Sequence, residues 1–275
     1  MTQPLTLMAV HAHPDDEASS TGGVLAKYSD EGVRTIVVTC TNGEFGDGPA
    51  GIKPGEDGHD TTDVAQTRLA ELREACKHLG VSELERLGYH DSGMPDWEYR
   101  HSPAAFCNVP LDVVSERIGA LIGQYRPQVV ITYDPDGAYQ HPDHVHAARA
   151  AIAAVQATAI PAKLYLAAMR SSGWRAVFEA LREAGEEVPE WEMTEEEQRA
   201  VIESEARITT EVDIRSVLDR KRAALLAHAS QIEDSWFSKI PSHVAEAAFG
   251  LETFIRTRNE TRAPVPETDL FAGLR

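Results

Sequence analysis

The stretch that decides the fold is VHAHPDDE at residues 10–17, which directly follows the apolar run LTLMA at residues 5–9. The apolar run predicts a buried strand, because strands that are covered on both faces read as continuous hydrophobic sequence. The residues after it bring two imidazoles and three carboxylates into seven positions. Polar groups that follow a strand of an open α/β sheet lie at its carboxyl end, where such sheets bind ligands.

Strands and helices alternate along the chain after this stretch. Further strands are predicted at 35–39, 84–88, 128–132 and 163–167. Helices are predicted at 20–31, 62–79, 110–125 and 143–158. Alternation of this kind is typical of a parallel sheet with helices on both of its faces. We therefore expect a Rossmann-like, doubly wound α/β fold with a mostly parallel sheet.

The alternation weakens in the last third of the chain. Residues 170–205 are strongly acidic and predict a helical insertion or cap. Residues 208–214 alternate as a strand does, and residues 216–228 predict a helix. We therefore expect two parts: a Rossmann-like domain at 1–168, and a smaller C-terminal α+β cap at 169–275 that packs on the same domain.

The composition argues against several classes of protein. The 275 residues include 44 acidic and 26 basic side chains, and the resulting net charge of −18 disfavours binding to nucleic acid. No apolar stretch approaches the length of about twenty residues that a membrane span needs, so we expect no membrane segment. The first residues lack a basic start, so we expect no signal peptide. Three widely spaced cysteines indicate reduced thiols and a cytoplasmic protein, whose oligomeric state the sequence does not predict.

A second polar cluster, QHPDH at residues 140–144, follows the strand predicted at 128–132. The carboxyl ends of parallel strands meet at one edge of a sheet, so we expect the two clusters to converge. His13, Asp16 and His144 can then offer two nitrogens and one oxygen to one zinc ion, with a position left open for water. The same ligand set suits ferrous iron. Taken alone, the first cluster fits a helix start capped by one of its aspartates equally well.

Other residues of the two clusters suit catalytic roles. Asp15 can take a proton from metal-bound water, or it can hydrogen-bond a ligand histidine. His141 can stabilise an oxyanion and protonate a departing amine as an imidazolium, or it can be an ordinary loop histidine. Asp143 can orient His141 or cap the following helix. Tyr139 can hydrogen-bond the oxyanion or stack in the wall of the site.

The two motifs together resemble those of the LmbE-like, or PIG-L, zinc deacetylases, which remove acyl groups from the amine of N-acyl-glucosamine derivatives. The matching segments are HAHPDDE at 11–17, HPDH at 141–144, HASQ at 228–231 and PETDLFAG at 266–273. The resemblance implies zinc on the three ligands named above, with Asp15 as general base and His141, assisted by Tyr139, at the oxyanion. It also suggests contacts to a sugar or inositol from Glu44, Arg68 and Asp91.

Within this family the chain resembles the mycothiol S-conjugate amidases more than the N-acetylglucosaminyl-inositol deacetylases. We therefore expect zinc-dependent hydrolysis of an amide on a glucosamine-type amine, which releases a mercapturic acid and glucosaminyl-inositol in detoxification. One alternative is deacetylation of N-acetylglucosaminyl-inositol or of an N-acyl-sugar secondary metabolite. An alternative of another class is a non-catalytic protein that binds a metal and a sugar. The sequence GAYQ at 137–140 departs from the Gly-Tyr that often precedes the family's second motif.

Overall fold

The structure is a computed structural model that describes residues 4–48, 51–136, 140–168, 170–183, 185, 194–232 and 240–275. The strands are β1 (Thr6–His11), β2 (Arg34–Thr41), β3 (Glu83–Tyr89), β4 (Val129–Tyr133), β5 (Lys163–Ala168), β6 (Thr210–Asp213) and β7 (Leu251–Asn259). The first four helices are α1 (Asp16–Asp30), α2 (Thr61–Leu79), α3 (Leu111–Tyr125) and α4 (Pro142–Thr158). The others are α5 (Ser171–Glu183), α6 (Glu195–Ala206), α7 (Leu218–Ala227), α8 (Ala229–Ile232) and α9 (Ser242–Phe249).

The strands form one seven-stranded sheet in the order β3-β2-β1-β4-β5-β7-β6. Strands β1 to β5 are parallel, whereas β7 is antiparallel to both β5 and β6. The predicted doubly wound, mostly parallel α/β fold is therefore confirmed. Because β6 and β7 extend the same sheet, the C-terminal segment shares its core with the first part of the chain.

Helices cover both faces of the sheet. Successive residues of β1 point to opposite faces, so Leu7 packs with Leu25 and Leu72 of α1 and α2. Met8 packs on the other face with Ile118 of α3 and Ala151 of α4. Every residue of β1 is buried, which explains why its sequence is continuously apolar until His11.

The winding of the sheet reverses between β1 and β4. The chain runs outward from β1 to β2 and β3, returns to the other side of β1 with β4, and continues to β5. Residues Leu7 to Ala9 of β1 pair with 129–131 of β4, so the loops that follow these strands leave the sheet side by side. Such a topological switch point is where open α/β sheets bind ligands.

Strand β7 was not predicted, because charged residues interrupt its apolar pattern. The carboxylate of Glu252 is buried and accepts hydrogen bonds from the backbone N–H groups of Gly23 and Val24, at 2.7 and 2.8 Å. It also accepts from Lys221 Nζ at 2.6 Å. These partners lie far away in the sequence, so only the folded chain shows why a charged residue is buried here. None of the helices in the described part of the chain has the length and apolar character that a membrane span requires.

Candidate active site

The loop after β1 turns sharply and places two aspartates at the start of α1. Asp15 adopts φ +107°, a conformation that residues other than glycine rarely take, and Asp16 is the first residue of α1. Asp16 Oδ2 accepts hydrogen bonds from the backbone N–H of His13 at 2.8 Å and from Tyr133 Oη at 2.7 Å. Asp16 Oδ1 is left to face His144 Nε2, at 3.4 Å. The carboxylate is thereby fixed with one oxygen toward the second loop.

Three predicted metal ligands, called here the ligand triangle, meet in the structure. His13 Nδ1 lies 3.3 Å from His144 Nε2 and 3.5 Å from the Asp16 carboxylate. Ligands at about 2.0–2.1 Å from a tetrahedral zinc ion lie about 3.3–3.4 Å from one another, so this donor set fits a divalent metal. A nitrogen of His141 also lies within 4.8 Å of nitrogens of His13 and His144.

Burial and neighbouring charges shift the pKa values of the three ligands in different directions. Burial lowers the pKa of His144 to about 4, which keeps the imidazole neutral with a lone pair available for a metal. Burial opposes ionisation of Asp16, but the neighbouring imidazoles outweigh it and hold the pKa of this carboxyl well below its usual range. The protonation states of His144 and Asp16 are those that a metal ligand requires. At His13, by contrast, neighbouring carboxylates outweigh burial and raise the pKa well above its usual value, so a metal would have to displace its proton.

Two further carboxylates face the opposite nitrogen of His13. His13 Nε2 lies 3.1 Å from Asp143 Oδ2 and 3.6 Å from Asp91 Oδ1. Ser92 donates to Asp143 from its backbone N–H at 2.9 Å and from its hydroxyl. Carboxylates that hold the remote nitrogen of a ligand histidine fix its orientation and raise its basicity. A metal could also be held by this group of His13, Asp91 and Asp143, but Asp143 is fully buried and does not line the cleft.

The carboxylate of Asp143 therefore orients His13, whereas the sequence predicted that it would orient His141 or cap α4. The N-cap of α4 is His141, whose Nδ1 accepts a hydrogen bond from the backbone N–H of Asp143 at 3.2 Å. An imidazole that accepts at Nδ1 carries its proton on Nε2. Burial and the neighbouring His13 lower the pKa of His141, which favours the neutral ring over the imidazolium.

The carboxylate of Asp15 lies beside the ligand triangle, but Asp15 is not one of the three ligands. Its Oδ2 lies 3.0 Å from Arg68 Nη2. Burial raises the pKa of Asp15 to about 6, although the guanidinium of Arg68 works in the opposite direction. A carboxyl that titrates close to neutral pH suits general base catalysis better than an ordinary aspartate.

A cleft of about 270 Å³ opens over these groups. The residues that line it are His13, Asp15, Asp16, Phe45, Gly46, Arg68, Asp91, Gly93, Met94, Trp97, His141, His144 and Gln231. The two predicted clusters thus meet in one cavity with an aromatic wall. Tyr139, predicted to assist at the oxyanion, lies outside the described residues.

The predicted substrate contacts are occupied by protein groups in this structure. Arg68 donates to the carbonyl oxygens of Gly43 and Pro14, at 2.7 and 2.6 Å. Glu44 lies 2.6 Å from His90 Nδ1 and accepts from the backbone N–H of Asp91 at 3.1 Å. Arg68 and Asp91 line the cleft, whereas Glu44 lies behind it. Their contacts to substrate stay a prediction.

Two residues that the sequence does not predict, Tyr133 and Ser92, support the ligand triangle. The phenol of Tyr133 accepts from the backbone N–H of Ala12 at 2.6 Å in addition to donating to Asp16, and its ring stacks on His144 with centroids 4.2 Å apart. The available signal was its position at the carboxyl end of β4, beside the metal loops. Ser92 lies in the loop after β3, in a segment (91–95) that also resembles the family, but the sequence does not indicate that its hydroxyl contacts Asp143.

Comparisons with known proteins agree with this geometry. The family model PIG-L, described as GlcNAc-PI de-N-acetylase, matches residues 8–155. A 1D-myo-inositol 2-acetamido-2-deoxy-α-D-glucopyranoside deacetylase from Acidothermus cellulolyticus is 40% identical over 278 residues, covering 98% of this chain and 95% of the relative. A protein of the same name from Geodermatophilus obscurus is 36% identical over 292 residues and covers 100% of this chain and 99% of the relative.

Solved structures share the fold. The N,N'-diacetylchitobiose deacetylase from Pyrococcus horikoshii superposes with a TM-score of 0.57 at 21% identity, covering 92% of this chain and 84% of that one. The names of the sequence relatives favour the deacetylase alternative over the mycothiol S-conjugate amidase that the sequence resemblance predicted. The family match and these relatives show that the chain belongs to the PIG-L family of amide-hydrolysing deacetylases.

Proposed function

We propose that this chain is a metal-dependent deacetylase that hydrolyses 1D-myo-inositol 2-acetamido-2-deoxy-α-D-glucopyranoside to acetate and the free amine. The observation that supports the proposal is the ligand triangle of His13, Asp16 and His144 with the carboxylate of Asp15 beside it, in a cleft of about 270 Å³. The substrate is the one named for relatives that match almost the whole chain at 36–40% identity.

We propose zinc as the ion, because two imidazole nitrogens and one carboxylate oxygen form a common catalytic zinc set, although ferrous iron accepts the same ligands. A divalent ion at this position would supply Lewis-acid polarisation of the amide carbonyl and would lower the pKa of water. The ligand triangle leaves its cleft side open to both reactants. We propose one ion per chain, held by His13, Asp16 and His144, whose nitrogen and oxygen atoms lie 3.3–3.5 Å apart.

Asp15 acts as the general base in this proposal. Its carboxylate takes a proton from the attacking water, and the water oxygen forms a bond to the amide carbon. Arg68 holds the carboxylate beside the ligand triangle, so that it cannot turn away from the water. Breaking the C–N bond requires a proton on the departing nitrogen, and the protonated Asp15 can return the one that it took.

His141 stabilises the oxyanion from its neutral state. With Nδ1 accepting from the backbone N–H of Asp143, the Nε2–H of His141 is the group that can donate into the cleft. A neutral donor of this kind stabilises the oxyanion without first having to be protonated. Tyr139 stays a predicted second donor.

The test is an amine-release assay on purified, metal-analysed protein. It compares the acetamido-glucosyl-inositol with a bulky S-conjugate of mycothiol and with N-acetylglucosamine. The proposal predicts the highest kcat/KM for the first substrate. Turnover confined to the S-conjugate would restore the amidase prediction, and metal binding without turnover of any amide would favour a non-catalytic sugar-binding protein.

Asp15→Asn separates the base from the metal site. We expect this variant to keep its metal and to lose about 10²–10⁴-fold in kcat, the usual contribution of a general base. Asp47→Asn is the matched control, because Asp47 is a carboxylate paired with Lys53 that does not line the cleft. An Asp15→Asn enzyme as active as this control would remove Asp15 from the proposed role.

We further propose a small-molecule substrate as the partner of this site and the cytoplasm as its location. All three cysteines, Cys40, Cys76 and Cys107, are free thiols. Free thiols are typical of a reducing compartment. Immunoblotting of cell fractions with an antibody to the protein tests the location. Recovery of the protein in an oxidising compartment would contradict a cytoplasmic location.

A further inference from the structure

We infer that Glu17 and His228 are positioning residues that hold Asp15 in its catalytic conformation from the back of the loop. These two residues are called the Glu17–His228 clamp below. The inference rests on the proposed role of Asp15 as general base. Neither residue lines the cavity, and neither is one of the three ligands.

Asp15 needs such support because its backbone is strained. Its φ of +107° and ψ of −28° lie in a region that is costly for a residue with a Cβ atom. A strained conformation persists only when its surroundings fix it. If the loop relaxed to an ordinary conformation, the Cα–Cβ bond of Asp15 would rotate and carry the carboxylate away from the ligand triangle.

The carboxylate of Glu17 fixes this backbone. Its Oε2 accepts a hydrogen bond from the backbone N–H of Asp15 at 3.0 Å, and its Oε1 lies 2.7 Å from His228 Nε2. The side chains of Glu17 and His228 are fully buried. A buried carboxylate that loses a partner has no water to replace it, so the two contacts hold each other in place.

His228 is itself held by a rigid part of the molecule. It directly follows α7, which packs against α1 and α2. Two residues later in the chain, Ser230 donates to Glu71 of α2 from both its backbone N–H and its hydroxyl, each at 2.7 Å. The C-terminal segment thus reaches back to the catalytic loop through His228 and fixes Glu17 against the body of the fold.

Arg68 holds the same loop from the cleft side. Its guanidinium bonds the carbonyl oxygen of Pro14 and the carboxylate of Asp15. Arg68 therefore restrains the side chain of Asp15, whereas the Glu17–His228 clamp restrains its backbone. Because His13, His144 and the aromatic wall make no contact with the clamp among the hydrogen bonds described, we expect its removal to leave the ligand triangle and the wall in place. We therefore expect a loss of kcat with little change in KM or in bound metal.

The test compares Glu17→Ala with Glu17→Gln in the full-length, metal-loaded protein. Glu17→Ala removes both contacts, and we expect kcat to fall about 10- to 100-fold, the value of one hydrogen bond to a charged group. In Glu17→Gln the amide oxygen can still accept from Asp15 while the amide N–H₂ faces His228, so we expect kcat within about threefold of the wild type. Rescue by the glutamine is a result that general destabilisation does not produce.

Glu267→Ala is the matched control. Glu267 is also a buried carboxylate that joins two distant residues, Lys163 and Tyr165, at 2.6 and 2.8 Å, and it does not line the cleft. We expect this variant to lose thermal stability and to keep its kcat. If Glu17→Ala does not fold, His228→Leu removes the other half of the clamp, and we expect its kcat to fall in the same way.

Three results would overturn the inference. They are an unchanged kcat in the variants of the clamp, a rise in KM alone, or loss of the metal. Failure of the proposed function is distinguishable, because wild-type protein would then show no amine release and Asp15→Asn would have no effect to compare. An active wild type with an inactive Asp15→Asn and a fully active Glu17→Ala would reject only the clamp.

Discussion

Replacing Tyr133 by phenylalanine removes one oxygen atom from the support of the ligand triangle. That oxygen donates to Asp16 Oδ2 at 2.7 Å and accepts from the backbone N–H of Ala12 at 2.6 Å. Burial and the charge of Asp16 raise the pKa of Tyr133 well above its usual value, so the phenol remains a hydrogen-bond donor at any working pH. The ring that stacks on His144 stays in place.

The size of the effect follows from the two lost bonds. A hydrogen bond to a charged group contributes about 1.5–3 kcal/mol and a neutral one about 0.5–1.5 kcal/mol, so we expect the free energy of unfolding to fall by about 2–4.5 kcal/mol. The loss also frees the Asp16 carboxylate to rotate. Removing the partner of a metal ligand typically weakens metal binding by about 10- to 100-fold, which is the change that we expect here.

The assay is a titration of metal-free protein with zinc against a competing chelator, together with thermal unfolding. Tyr28→Phe is the control, because the Tyr28 hydroxyl also donates to a carboxylate, that of Asp269, and accepts from a backbone N–H, that of Leu270. We expect both variants to lose stability and only Tyr133→Phe to lose metal affinity. Equal metal affinity in the two variants would refute the assigned role of Tyr133.

Three other changes test separate parts of the structure. Ser92→Ala removes the hydroxyl that donates to Asp143, and we expect zinc affinity to fall about tenfold in the same titration. Unchanged zinc affinity would contradict the role of Ser92 in holding the Asp143 carboxylate against His13. Gly93→Ala places a Cβ atom 2.6 Å from the ring of Trp97, at a residue with φ +68°, and so displaces a ring that lines the cleft. In steady-state kinetics we expect KM to rise by a larger factor than kcat falls. An unchanged KM would show that this ring does not contribute to substrate binding. Burial opposes ionisation of Asp269, but hydrogen bonds from the C-terminal arginine and a backbone N–H lower its pKa. The ionised Asp269 therefore stabilises the fold above its unfolded pKa, and this stabilisation is lost as the pH falls through the lower folded pKa. The difference in free energy of unfolding between wild type and Asp269→Asn, measured by urea unfolding, should shrink in acid. A difference that does not change with pH would contradict this.

The meeting of the two motifs could be predicted from the sequence because it depends on local order. An apolar run followed by polar ligands predicts a strand and its carboxyl end, and a βαβ pattern predicts parallel strands whose ends share an edge. The pairing of Leu7 with Val129 brings His13 and His144 together as expected. Neither step needed knowledge of distant contacts.

The partner of the Asp143 carboxylate could not be predicted, because it comes from a remote loop. Asp143 receives its hydrogen bonds from Ser92, 51 residues away, and this contact decides that its carboxylate faces His13 rather than His141. Local sequence equally allows either arrangement. Strand β7 could not be predicted for the same reason, because the groups that pair with the charged Glu252 lie far from it in the sequence.

The central claim is that one ion is shared by the loops after β1 and β4. A crystal structure of zinc-loaded protein with anomalous data tests it most directly. We expect one ion at about 2.0–2.2 Å from His13 Nδ1, His144 Nε2 and the Asp16 carboxylate, with Asp15 unbound. An ion on the other side of the His13 ring, held by Nε2 with Asp91 and Asp143, would contradict it.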